Sequence, residues 1–182
     1  MLFNEWKKFR GWLVLDYFLK GGSRIYLKKL ARELKISPRT AEYYLKFYER
    51  EGVLEKEEIG NMVLYNLKSG PLSQGLKRIY AVAELQPVAD QLAKGNPQIA
   101  SVVLYGSYAK GEFDMESDID ILIIAQPKSI AVDAFKDFEH KTGIQISAEV
   151  MTPGAWRELS NKKDNFYLAL MKNHVVLWGA NI

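Results

Sequence analysis

The sequence predicts an α+β protein in two modules: a helical module closed by a β-hairpin, then a small module alternating helix and strand around a mixed sheet. Three observations carry this. Gly60-Asn61 joins two short runs of strand-forming residues, as a two-residue hairpin turn does. Residues 100–105 and 118–124 read as strands between helical stretches, the second apolar at its end and therefore buried. Gly70-Pro71 then punctuates the chain where the pattern changes. The expected domains are 1–68 and 69–182.

Composition narrows the function. The chain has 182 residues, 48% hydrophobic and 26% charged, so a folded core is expected rather than disorder. No run of eighteen apolar residues exists, and the start mixes Glu5, Lys7 and Lys8 with aromatics, so neither a spanning helix nor a secretory leader is expected and the protein is read as cytoplasmic. With no cysteine and two histidines, thiol chemistry and a histidine-rich zinc site are not expected; His140 and His174 are read as structural. Residues 1–68 hold 14 Lys and Arg against 9 Asp and Glu, a net of +5, while 69–182 hold 11 against 13, a net of −2. That asymmetry points to modules with different partners.

In the first module, Trp6, Phe9, Trp12, Leu13 and 15–18 predict a strongly apolar helix stopped by Gly21-Gly22. Its aromatics suit either a small core or a homodimer interface. Tyr26 to Leu34 reads as a second helix. Ser37 is a good N-cap and Pro38 a good first residue for a third helix, running to about Glu51. On it Ala41, Tyr44, Leu45 and Tyr48 share the core face, and Arg39, Thr40, Tyr43, Lys46 and Arg50 face outward. Strands follow at 53–59 and 62–67.

The second module reads as a helix over 74–94, kinked or broken near Pro87, then a strand over 100–105. Asp118 to Ile124 is a second strand, 129–141 a helix, and 144–151 a strand of alternating apolar and polar residues. Helices at 153–159 and 165–172 and a strand at 175–178 close the chain.

The residues that carry chemistry lie at strand ends here. Gly106-Ser107 can bring backbone amides and a hydroxyl to an anion. Asp118 and Asp120 point to one side of a strand, with Cα atoms roughly 6.6 Å apart. Two such carboxylates can grip one Mg²⁺ and share a second about 3.5–4 Å away, the arrangement of two-metal phosphoryl transfer. Glu149, on the polar side of the next strand, could add a ligand or a general base. A solvated edge strand would also accommodate the aspartates, and any half-exposed strand would accommodate Glu149.

Ten residues, Tyr108 to Ser117, separate Gly106-Ser107 from Asp118-Ile119-Asp120. With its flanks, Leu104-Tyr105 before and Ile121-Leu122 after, this text resembles the signature of the polymerase-beta-like nucleotidyltransferase superfamily, in its minimal nucleotidyltransferase (MNT) branch. The resemblance implies that Gly106 and Ser107 hold the nucleotide triphosphate. It implies that Asp118 and Asp120 bind Mg²⁺, two ions in all, and that Glu149 is the third carboxylate, where the family often has Asp. Lys110 stands where the family often has a basic residue and suits either a phosphate contact or an exposed loop. The implied reaction moves a nucleoside monophosphate, AMP from ATP, onto a hydroxyl, with a HEPN-type toxin as one class of protein partner.

Helix, helix, tight turn, helix and hairpin over about 10–68 resemble a winged helix-turn-helix domain, carried by Ser37 to Leu45 and Gly52-Val53-Leu54. That implies DNA contact through Arg39, Thr40, Tyr43 and Lys46. Glu42, Glu49, Glu55, Glu57 and Glu58 on the same elements would oppose it. The alternative function is a DNA-binding transcriptional regulator whose second domain senses nucleotide or no longer turns over. A small-molecule transferase would need substrate-binding structure for which the chain has little room.

Overall fold

The computed structural model describes residues 8–126 and 130–182. The expected helix contribution of Trp6 and helix start at Ser129 lie outside the described residues. Two compact units divide between Lys77 and Arg78.

The first unit contains α1 (Arg10–Leu19), β1 (Ile25–Tyr26), α2 (Leu27–Glu33), α3 (Pro38–Arg50), β2 (Leu54–Ile59) and β3 (Met62–Leu67). Its core gathers Val14, Phe18, Leu30, Ala41, Leu45 and Leu54, each at most 1% exposed. The apolar spacing of α3 places Ala41 and Leu45 inside, while Tyr44 and Tyr48 are half-buried at its margin. Ser37 caps α3 by accepting from the Thr40 amide at 3.1 Å, with Pro38 as first residue. The helix crosses α1 closely at Gly11. A Cβ there would come within 2.6 Å of the Tyr44 ring, and the Tyr48 hydroxyl donates to the Gly11 carbonyl at 2.8 Å. Burial pushes the Tyr48 phenol up to about 12.

The predicted hairpin pairs Leu54 with Leu67 through Ile59 with Met62. A strand absent from the sequence reading joins it. Ile25 and Tyr26 pair with Tyr65 and Leu64, giving sheet order β1-β3-β2. The second helix therefore starts at Leu27, not Tyr26, because Ile25 is buried to 1% exposure by strand pairing.

The second sheet follows α4 (Pro71–Gly95) and contains β4 (Ile99–Tyr105), β5 (Ile119–Ala125), β6 (Ile146–Met151) and β7 (Val175–Gly179). Between them lie α5 (Gly106–Lys110), α6 (Asp133–Thr142), α7 (Pro153–Lys162) and α8 (Asn165–Lys172). The strand order is β6-β5-β4-β7. β4 is antiparallel to β5 and β7, and β5 is parallel to β6, so the sheet is mixed as expected. One face packs Val103, Leu122 and Ile124 against Trp156 of α7 and Leu170 of α8. On the other, Val102, Leu104, Ile121 and Ile123 are buried. Asn96, 3% exposed, donates to the Ala131 carbonyl at 2.9 Å and accepts from the Ala131 amide at 2.8 Å, pinning the segment after β5 to the end of α4.

Several expectations shift. α4 is continuous from Pro71 to Gly95, with Pro87 inside it, and is not broken there. Proline at position 71 has no amide to leave unbonded in a first turn, so the helix starts earlier than Gln74. β6 begins at Ile146, not Ile144. The Thr142 hydroxyl accepts from the Ile144 amide at 3.2 Å, holding that residue in the preceding turn.

Candidate active site

The site is built where β4 ends. Tyr105, its last residue, pairs across the sheet with Asp120. The chain then turns sharply at Gly106, where φ is 70°. A Cβ there would lie 2.9 Å from the Asp120 Cγ, so the carboxylate rests against the bare Gly106 backbone. Gly106-Ser107 does not form an extended loop; it opens the single turn α5. The following connection folds down through Tyr108 and Phe113, both buried, with rings stacked at 3.9 Å and 4°. Asp114 and Ser117 close a turn through the Ser117 hydroxyl, which donates to Asp114 at 2.8 Å. That turn delivers the chain to Asp118.

Asp118 is exposed and stands one residue before β5, which starts at Ile119; Asp120 is half-buried within the strand. Burial raises the Asp120 carboxyl above its ordinary value, and the Asp118 charge raises it further. The Tyr105 phenol is raised by burial, then by Asp120 and Glu149. The Tyr108 phenol is pushed up to about 12 by burial, with Asp114 and Asp118 adding to it. No basic side chain pairs with Asp118, Asp120 or Glu149 among the described residues. Asp118 and Asp120 therefore bring carboxylate oxygens that join no ion pair among the described residues, the donor type suited to a hard divalent cation.

Glu149 pairs in register with Leu122, and Asp120 with Ser147. Paired residues of a parallel ladder point to the same face, so Glu149 shares the face of Asp120, one strand out and two residues further along. It is exposed. Among the described residues no three carboxylate or imidazole groups are close enough to hold a metal ion. The structure thus brings Gly106, Ser107, Asp118 and Asp120 together and leaves Glu149 at the rim. Lys110 ends α5 exposed and joins no ion pair among the described residues. Tyr105 was not singled out from the sequence. Its signal was its place, immediately before Gly106 and opposite Asp120. Its ring meets Phe166 of α8 edge-on at 5.6 Å.

A cavity of about 390 Å³ lies at the other end of the same sheet face, lined by Ala100, Trp156, Arg157 and Tyr167 among others. It contains none of the expected site residues.

On α3, Arg39 and Tyr43 are exposed, and Tyr43 keeps 64% of its surface. Thr40 is half-buried, with its hydroxyl 2.8 Å from that of Ser37, so it belongs to the helix cap. Lys46 donates to Glu42 at 2.7 Å.

Residues 85–165 match the model of the nucleotidyltransferase domain family. A Methanocaldococcus jannaschii protein named as a protein adenylyltransferase is 37% identical over 75 residues, covering 41% of this chain and 71% of that protein. Two solved structures are similar in part. One is a toxin-antitoxin crystallised with AMP-PNP, at 18% identity and TM-score 0.38, covering 53% of this chain and 74% of that one. The other is a nucleotidyltransferase from Sulfolobus solfataricus, at 20% identity and TM-score 0.37, covering 61% and 90%.

Proposed function

From the premise that this chain belongs to the nucleotidyltransferase domain family and is a nucleotidyltransferase, we propose that it moves AMP from ATP onto a side-chain hydroxyl of a protein. The observation that carries this is the Asp120 carboxylate seated against Gly106, with Asp118 near enough to raise its carboxyl further and no ion pair to either aspartate among the described residues. The name of the Methanocaldococcus jannaschii relative supports a protein acceptor. A helical HEPN-type protein is the acceptor class proposed.

Gly106 and Ser107 bind the triphosphate, with the bare Gly106 backbone allowing close approach. Asp118 and Asp120 would hold Mg²⁺, which supplies charge neutralisation of the triphosphate when bound. Glu149 accepts the acceptor's proton. The acceptor oxygen bonds to the α-phosphorus, the bond to the β-phosphate oxygen breaks, and pyrophosphate leaves. Lys110, exposed on the turn after Ser107, offers a charge to the departing phosphates.

The test is thermal denaturation with Mg²⁺ and each of the four NTPs, followed by labelled AMP transfer. ATP raises the melting temperature of the wild type. Asp118→Asn with Asp120→Asn removes both the shift and the transfer while the unliganded fold persists. Transfer retained by that double variant would sink the site assignment.

We further propose that residues 10–68 form a winged helix-turn-helix module. The capped α3 packed on α1 and α2, followed by the β2–β3 hairpin, supports that reading. Arg39 and Tyr43 are its outward contacts. Thr40 serves the cap and Lys46 is held by Glu42, so both contribute less than the sequence pattern suggests.

A further inference from the structure

The strand that carries Glu149 is also one of the two edge strands of the sheet among the described residues. The parallel register fixes which of its backbone groups are free. Ile119 pairs with Ile146, and the Ile119 amide donates to the Gln145 carbonyl at 2.9 Å. In such a ladder a residue bonds to the two neighbours of its partner, so Gln145, Ser147 and Glu149 turn their backbone groups to β5. Ile146, Ala148 and Val150 turn theirs outward. The Ile146 amide, the first of these, is capped by the Glu139 carboxylate at 2.7 Å. Among the described residues no further strand pairs with the amides and carbonyls of Ala148 and Val150. Both are exposed, Val150 at 51%, and the strand has no proline or lysine and no register shift against β5, devices that usually block an edge.

Resting on the transferase reading above, we infer that this edge is the acceptor-docking surface: an extended segment of the protein acceptor adds to β6 as an antiparallel fifth strand and presents its hydroxyl residue opposite Glu149. The pairing rule selects the position. Ala148 and Val150 exchange backbone hydrogen bonds with the residues flanking the acceptor residue. The acceptor residue itself occupies the non-hydrogen-bonded pair with Glu149, where side chains stand closest. Its side chain then lies on the face that carries Asp120, two strand spacings or about 10 Å across the sheet and two residues or about 6.6 Å further along it. The edge supplies affinity through backbone bonds of any sequence, and the face supplies the chemistry. Glu139 ends the pairing at Ile146, so the docked segment is short.

The probes are nine-residue peptides of strand-forming residues with one central Tyr, Ser or Thr, assayed for AMP incorporation from labelled ATP by the full chain. Incorporation is expected with at least one of the three. N-methylation of the two residues flanking the acceptor, whose amides bond to β6, lowers it at least tenfold. N-methylation of the acceptor residue, whose amide faces away, leaves it within about twofold. Ala148→Pro removes an outward amide without touching the β5 ladder; it keeps the ATP-induced thermal shift and loses tenfold or more of peptide transfer. If Ala148→Pro fails to fold, the methylated peptides decide alone. Incorporation indifferent to the methyl positions, or absent with all three peptides while ATP still shifts the wild type, overturns the docking surface and leaves the nucleotide site standing. No ATP shift in the wild type overturns the transferase reading and this inference with it.

Discussion

At Asp120, site chemistry and stability pull in opposite directions. Its ionised form is disfavoured by burial and by Asp118, so its carboxyl titrates above the unfolded value. A carboxyl raised by folding costs stability when ionised. The metal-free protein therefore gains stability as pH falls through the raised value and loses it above. Asp120→Asn removes the repulsion at neutral pH. A higher melting temperature without Mg²⁺ is therefore expected of this variant. The same variant loses nucleotide transfer, a stability–activity exchange that paired melting and transfer assays would register. An unchanged or lower melting temperature would show that burial and Asp118 together do not disfavour the ionised Asp120. Gly106→Ala acts differently: the methyl meets the Asp120 carboxylate and the backbone sits at φ 70°. Destabilisation of about 1–3 kcal/mol is expected in urea unfolding, with loss of the ATP shift.

Among the elements, the strands that carry the candidate site are legible in the sequence because their polar and buried residues occupy alternate positions. Asp118 and Asp120 alternate with Ile119 and Ile121, and only a strand satisfies both demands. The spacing that joined Gly106-Ser107 to the aspartates survives as one folded connection, through the Tyr108–Phe113 stack. What stayed hidden depends on distant partners. Two residues cannot announce a strand: β1 exists because Tyr65 and Leu64 lie beside it. The free edge of β6 is a property of sheet order, which no local pattern encodes. Tyr105 read as ordinary strand text until pairing put it opposite Asp120. Asn96 is the same kind of case. From the sequence it is a polar residue before a proline, yet it is buried and bonds both backbone groups of Ala131. Asn96→Ala leaves those groups unpaired, and a loss of about 1–3 kcal/mol in urea unfolding is expected. A loss under half a kcal/mol would mean that the segment after β5 is held by other contacts.

The division of charge across the whole molecule sets what each unit can bind. The chain to Lys77 is basic and the remainder acidic, but the net excess overstates what α3 offers to phosphates. Lys46 is held by Glu42, Arg50 bonds Glu51 and lies 5.4 Å from the centre of the Phe47 ring, and Arg24 and Lys56 are paired with Glu57 and Glu49. Exposed pairs of this kind are weak, and a phosphate can displace the carboxylate, though at a cost that lowers affinity. Arg39 is exposed and joins no ion pair among the described residues, so it is the cation a phosphate meets first. Each phosphate neutralised contributes about −0.9 to the slope of log affinity against log salt. With Arg39 the one α3 cation outside an ion pair among the described residues, the slope expected for a 20-base-pair duplex read through α3 is shallow, about −1 to −3, in anisotropy titrations between 25 and 200 mM salt. Arg39→Glu should abolish that binding and leave AMP transfer unchanged, because the residues proposed for transfer all lie beyond Lys77. A duplex bound equally well by Arg39→Glu would remove DNA from the role of α3 and turn its exposed Tyr43 and Phe47 toward a protein surface instead.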